Sequence, residues 1–161
     1  MSALCFLDTN VLLYVHDAAD ERKRLIAGRL VLELGRRRSF VLSAQVLNEY
    51  YKVAISRPGQ YERRAHYRDN VRRFRRACLA PYDIETMQTA WGLQDVTNYG
   101  WWDLMIVASA MRAGCRYLLT EDLRDGHQLG DLTIVNPFAA DIDALVAKLE
   151  IGPPPTRNAG E

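Results

Sequence analysis

Four carboxylates stand at the ends of apolar or helical segments. Asp8 closes the apolar run Ala3–Leu7, and Asp122 follows the run Arg116–Thr120 by two residues. Glu49 lies on the segment after a third run, Ser39–Leu42, and Asp103 in the first turn of Trp101–Ala113. Each has an ordinary structural explanation by itself. An Asp caps a helix N-terminus well, and an acid in the first turn complements the helix dipole. Glu49 alone reads as an ordinary solvent-facing acid. Asp103 stands apart, because it sits within Trp101-Trp102-Asp103-Leu104-Met105-Ile106-Val107. A carboxylate buried there without a cation, a donor or water is costly. Carboxylates brought to one point repel, and a divalent cation makes such a cluster stable. Hard oxygen ligands select Mg2+ or Mn2+ over zinc, and no His/Cys cluster competes.

The charge distribution supplies a second element. Residues 1–78 carry sixteen Lys and Arg against eight acids, whereas residues 79–161 carry five against twelve. One basic cluster runs from Arg22 to Arg38 and the other from Arg63 to Arg76. The cations are nearly all Arg, which forks onto phosphate and carboxylate. Tyr61, His66, Tyr67 and Phe74 are interleaved with the second cluster, as in surfaces that stack bases. Nucleic acid and a carboxylate-rich protein both suit this surface. A carboxylate-held Mg2+ beside an Arg-rich face is the layout of a metal-dependent nuclease, in which the metal activates water and neutralises charge on the scissile phosphate.

The segments that must position these residues alternate in type. Ala3–Leu7, Ser39–Leu42, Arg116–Thr120 and Leu132–Val135 read as strands. Helices are expected from Val11, over Glu21–Arg36 with Gly35 near its end, over Ala44–Ser56 behind an N-cap at Ser43, over Tyr61–Ala77, over Ile84–Val96, over Trp101–Ala113 with Gly114 as its C-terminal cap, and over Asp141–Leu149. Strands alternating with helices argue for a parallel sheet covered by helices, with ligands beyond the carboxyl ends of the strands. The 161 residues suit one domain, taken as 1–150, and the Pro-containing tail 151–161 reads as disordered. No apolar run reaches the ~20 residues of a membrane span, and Met1–Leu7 lacks the basic start of a secretory signal, so a cytosolic location is expected. Cys5, Cys78 and Cys115 have no zinc or redox spacing and read as three reduced thiols.

On these residues the chain resembles PIN-domain ribonucleases, and within them the VapC toxins of bacterial toxin–antitoxin pairs. The resemblance rests on Leu7-Asp8-Thr9-Asn10-Val11-Leu12, Asn48-Glu49, Trp102-Asp103 with the helix that follows, and Leu119-Thr120-Glu121-Asp122-Leu123 with Asp125-Gly126. It spans residues 3–138. It implies an α/β fold of three layers with a central parallel sheet of four to five strands. It further implies endoribonuclease activity on tRNA or rRNA, with growth inhibited through loss of translation. Asp8, Glu49, Asp103 and Asp122 then hold Mg2+ or Mn2+, directly or through water. Thr9, Asn10 and Thr120 support them by hydrogen bonding, and Asp125 is an additional outer acid. Of the neighbours Glu121 and Asp122, alternation along an extended segment puts Asp122 on the side of Thr120. A cognate antitoxin and a homodimer are the partners implied.

Within the Arg-rich helix, Arg64, Arg68, Arg72, Arg75 and Arg76 share one face by their spacing, leaving Ala65, Val71 and Phe74 for packing. That face is expected to contact RNA phosphates through Arg64, Arg68, Arg72 and Arg76. A haloacid-dehalogenase-like phosphotransferase would need an Asp at position 10, where Asn stands, and a later Lys that is missing between Lys52 and Lys148. No GxxxxGK[ST] is present, which removes P-loop enzymes. His16, His66 and His127 fit no catalytic pattern. The competing reading of different class is a catalytically inactive PIN fold that binds RNA or protein.

Overall fold

The computed structural model describes residues 3–149. The disorder expected of 151–161 lies outside them. The first apolar run forms β1 (Cys5–Leu7), in which all three residues are buried. It pairs in parallel with β2 (Phe40–Val41) on one side and β3 (Tyr117–Leu119) on the other. β5 (Leu132–Val135) continues in parallel beside β3. The strand order is β2-β1-β3-β5-β4, where β4 (Gln128–Leu129) is antiparallel to β5 at the edge. β4 has no counterpart among the strands expected from sequence. Two residues are too few to show alternation, and only the turn through Gly130, whose φ is 58°, folds them back.

Helices flank this sheet, and their starts follow the side chains that cap them. Asp8 precedes α1 (Thr9–Tyr14), Asp20 precedes α2 (Glu21–Arg37), and Ser43 precedes α3 (Ala44–Ser56). Asp83 begins α5 (Ile84–Gln94) with a reciprocal capping box to Thr86, and Asp141 begins α7 (Ile142–Lys148). Each of these side chains accepts a backbone N–H of the first turn, which supplies a donor with the acceptor the helix lacks there. α6 (Trp101–Arg112) buries every residue from Leu104 to Ala110, as its all-round apolar sequence requires. Gly114 terminates it at φ 72°, with Cys115 N–H donating back to Ala110.

Two helices differ from expectation. α2 does not end at Gly35. It runs to Arg37, and Arg38 takes the left-handed position at φ 52°, with Ser39 N–H donating to the Leu34 carbonyl. The Arg-rich segment is not one helix over Tyr61–Ala77. α4 covers Arg64–Phe74, and 3-10 turns at Tyr61–Arg63 and Arg75–Ala77 flank it. Its buried side is Tyr67 and Asn70 rather than Ala65, which is exposed. Tyr67 packs edge-on to Tyr50, and Asn70 Nδ2 donates to the Tyr50 hydroxyl at 3.0 Å, so α3 selects the inward face.

Cys5 and Cys115 are buried and Cys78 half-buried, all as free thiols. Burial pushes the Cys5 and Cys115 thiols up to about 12, which leaves them protonated. Among the described residues no helix is long and apolar enough to cross a membrane.

Candidate active site

The parallel strands bring their carboxyl ends to one edge, and the four acids reach that edge from four different elements. Asp8 leaves β1 and is only 5% exposed. One carboxylate oxygen accepts the Thr9 N–H at 2.7 Å and the other the Thr120 hydroxyl at 2.7 Å. Thr120 stands one residue beyond β3, so the two adjacent parallel strands join through this pair. The same hydroxyl accepts the Asp122 N–H at 3.1 Å, which sets the start of the loop. Asn10, on the first turn of α1, aims Nδ2 at Asp122 Oδ2 at 2.9 Å, at Thr120 Oγ1 at 3.1 Å and at Asp8 Oδ2 at 3.4 Å. Thr9 Oγ1 donates to Glu49 Oε2 at 3.4 Å, linking α1 to α3.

Electrostatics tie the acids together beyond these bonds. Burial pushes Asp8 up to about 6; the bonds from Thr120 and Thr9 oppose this, and the charges of Asp122 and Glu49 add to it. Asp103, half-buried at the start of α6, is also raised, first by burial and then by Asp122. None of the ion pairs among the described residues engages any of the four. Among the described residues the cluster therefore carries uncompensated negative charge.

This charge has a measurable cost. Asp8 has a folded-state pKa above its unfolded value, so the folded chain binds the proton more tightly between about pH 4 and 6. Stability from this group is greatest below that window and is lost as pH rises through it. Asp8→Asn removes the charge and keeps a capping side chain. In metal-free buffer its melting temperature should exceed that of wild type at pH 8, and the gap should close by pH 4. A variant less stable than wild type at pH 8 would contradict this account.

The remaining candidates divide. Thr9, Asn10 and Thr120 touch the acids as described. Glu121 turns to the other side, where it accepts the Tyr14 hydroxyl and Lys23 Nζ, each at 2.6 Å. Asp125, expected as an additional outer acid, instead accepts the Asn136 N–H at 2.8 Å and ties its loop to the end of β5. That bond satisfies a backbone donor, and among the described residues no hydrogen bond joins Asp125 to the four acids. Of the Arg side chains, Arg68 and Arg72 line a groove between α3 and α4 with Asn48 and Tyr51. Arg64 lies over the Tyr61 ring at 4.7 Å. Arg76 falls beyond the end of α4 and lines a different cleft, so the expected single stripe is broken. One residue of the motifs carries no role from sequence. Trp102, beside Asp103, is 65% exposed, and Gln45 Nε2 of α3 donates to its carbonyl at 3.1 Å. A Trp in a first helical turn, ahead of the buried stretch, is the signal that points to it.

The donor set fits a hydrated hard cation. Among the described residues no three His, Cys, Asp or Glu side chains close on one point as a protein-only cage. Mg2+ does not need one, because it keeps several waters and takes one or two carboxylates. Asp8 and Asp122 share Asn10 as a donor, and the carboxylates of the site offer only oxygen ligands. Asn10 Oδ1 is buried without a hydrogen-bond partner, an acceptor suited to a cation-bound water.

Three solved structures share this fold. VapC20 of Mycobacterium tuberculosis, a toxin that cleaves the sarcin–ricin loop, aligns at 21% identity over 71% of this chain and 86% of its own, with a TM-score of 0.53. VapBC2 of Rickettsia felis, solved with a DNA fragment from its promoter, aligns at 18% identity over 81% and 96%, with a TM-score of 0.57. FitAcB of Neisseria gonorrhoeae aligns at 18% identity over 85% and 100%, with a TM-score of 0.60. At these identities the likeness concerns the fold. No curated protein matches the sequence. The PIN domain family model matches residues 5–127, from β1 through the loop that carries Asp122, and that span includes all four acids. With most of its length matched and the fold in agreement, the chain belongs to the PIN-domain family.

Proposed function

We propose that this protein is a Mg2+- or Mn2+-dependent endoribonuclease, acting in the cytosol as the toxin of a toxin–antitoxin pair. The observation that carries the reading is the gathering of Asp8, Glu49, Asp103 and Asp122 at the carboxyl edge of a parallel sheet, none of them in an ion pair among the described residues. Asp8 and Asp122 would hold the cation directly, and Glu49 and Asp103 through water. When bound, the cation supplies an activated water and charge neutralisation at the scissile phosphate. The protein's own share is positioning. Thr120 and Asn10 lock Asp8 and Asp122 against each other, and Thr9 orients Glu49. Trp102 offers an exposed ring on which an RNA base can stack at the site's rim.

RNA would approach along the groove of about 570 Å3 between α3 and α4. Arg68 is held there by the Tyr51 hydroxyl at 3.2 Å, and Arg72 by Asp69 at 2.6 Å. Phosphate contacts position a substrate without reading its sequence. Replacing Arg68 and Arg72 with Gln should flatten the salt dependence of single-stranded RNA binding, lowering the slope by ~0.7 for each phosphate that is no longer neutralised. Cleavage position and metal requirement should not change. An unaltered slope would remove this groove from the RNA path.

The partner part of the reading draws on the toxin–antitoxin complexes among the structural relatives. A cognate antitoxin would cover the acids and the groove, and the toxin would pair with a second copy of itself. The deciding experiment is sequencing of the RNA ends that appear when the protein is induced without a partner. Discrete new ends in tRNA or rRNA, absent after Asp8→Asn, support the proposal. RNA binding by purified protein with no cleavage in Mg2+ or Mn2+ would establish the inactive binding module instead.

A further inference from the structure

The two basic clusters of the sequence meet at a cleft that none of the four acids lines. The cleft, of about 750 Å3, lies between the C-terminal ends of α2 and α4 and the outer edge of β2. Arg38, Arg73 and Arg76 stand around it, and their side chains have no hydrogen-bond or ion-pair partner among the described residues. Its floor is aliphatic, with Val31, Val41 and Leu79, and Leu79 is 71% exposed.

Two further features mark the cleft as built for a ligand. The first is Arg38 itself. Its φ of 52° is the left-handed position where helices ordinarily place Gly, and a Cβ there is strained. An Arg in that strained position gains something from its side chain, which among the described residues has no hydrogen-bond or ion-pair partner. The second is the edge of β2. Cys5 N–H donates to the Ser39 carbonyl, and Cys5 pairs with Phe40 in the parallel register. Backbone groups alternate in direction along a strand, so those of Phe40 and Leu42 point away from β1. Leu42 is satisfied from outside, donating to Ala77 and accepting from Ala80. Phe40, on the same edge and lining the cleft, has no such outer partner among the described residues. A sheet edge that is open at one residue beside an aliphatic trough accepts an extended peptide.

We propose that this cleft docks an extended segment of a partner protein in which acidic and aliphatic residues alternate. Its backbone pairs with Phe40, its aliphatic side chains enter the trough, and its carboxylates meet Arg38, Arg73 and Arg76. The complementarity is one of charge and of shape together. RNA suits the cleft less well, because the Phe40 ring is buried and packs edge-on against Phe74 at 6.5 Å, leaving no open aromatic face for a base.

The test uses the full chain and a short end-labelled peptide of alternating Glu and Val, with a Lys–Val peptide and an oligouridylate as controls, read by fluorescence anisotropy. The Glu–Val peptide should bind saturably, the Lys–Val peptide should not, and the Phe40 amide should gain protection from hydrogen exchange. Arg73→Glu should lower affinity by about tenfold or more, through like-charge repulsion. Arg38→Gly is the more telling variant. It should lower affinity about fivefold, by removal of one charge-assisted hydrogen bond, without lowering the melting temperature, since Gly relieves the left-handed strain. A structural Arg38 would give the reverse, a lower melting temperature with unchanged affinity, and would overturn the proposal. Absence of saturable Glu–Val binding would overturn it as well, as would loss of oligouridylate binding alone in Arg73→Glu. So would peptide binding seen only in a chain shortened to Leu149, which assigns the cleft to residues 150–161, or a changed oligomeric state in Arg73→Glu, which assigns it to a second copy.

Discussion

Asp8→Asn and Asp103→Asn should each lower RNA cleavage in Mg2+ by roughly a hundredfold or more. Each substitution keeps shape and removes one negative charge from the oxygens proposed to hold the cation. Charge stabilisation by such a metal is worth several kcal/mol, and each ~1.4 kcal/mol is a factor of ten in rate. Asp122→Asn should behave in the same way, whereas Glu121→Gln should stay near the wild-type rate, because Glu121 is committed to Tyr14 and Lys23. Initial rates on a defined RNA, with and without chelator, measure this. Folding does not confound the Asp8 variant, since removal of an uncompensated buried charge is expected to stabilise the metal-free chain at neutral pH. A wild-type rate in Asp8→Asn or Asp103→Asn, or cleavage that survives full chelation, would defeat the proposed chemistry. So would a Glu121→Gln variant as impaired as Asp122→Asn.

The second large effect concerns the helix that presents Asp103. Leu104 is fully buried, and Leu104→Ala should cost ~2–5 kcal/mol through lost transfer energy and the cavity left behind. Against a total stability of ~5–15 kcal/mol, that is a large fraction. For a chain of this length the melting temperature should fall by roughly 5–20 °C, at ~2–4 °C per kcal/mol. The first turn of α6 keeps its tie to α3 through Gln45 and the Trp102 carbonyl, so Asp103 stays in place below the new midpoint. Cleavage measured well below that midpoint should thus remain within about a factor of three of wild type. Denaturant unfolding followed by far-UV circular dichroism reports the stability change. A cost below ~1 kcal/mol would mean that α6 is not core, contrary to its burial.

Much of the architecture is legible in the sequence because local signals agree with the tertiary outcome. The capping positions Asp8 and Ser43 are readable since an N-cap needs only its own helix. Four of the five strands are short, mostly apolar runs that are buried at nearly every residue, which composition reveals without any alternation. α6 declares its depth by being apolar on most sides. The order and spacing of Asp8, Glu49, Asp103 and Asp122 along the chain are enough to suggest the family.

Other features depend on partners far away in sequence. β4 exists because β5 offers it an edge. The Arg-rich segment looks uniform from within, yet α3 turns Tyr67 and Asn70 inward and exposes Ala65. The early end of α4 then parts Arg76 from Arg68 and Arg72, which face different clefts. The left-handed residue after α2 is Arg38 and not Gly35, since the backbone conformation is set by where the chain must turn into β2.

The element order, the caps, the buried strands and the set of four acids are thus written in the chain, since a residue carries them in its own type and spacing. Which acids meet, and through which donors, is settled only when distant elements pack. Asn10 reaches Asp8, Thr120 and Asp122 from one helical turn, while Lys23 and Tyr14 hold Glu121 away. Packing also sends Asp125 to the Asn136 backbone. A side chain in a loop points to its lowest-energy partner, and for the acids of the Thr120–Asp122 segment those partners come from elements ~100 residues away, beyond the reach of local propensity.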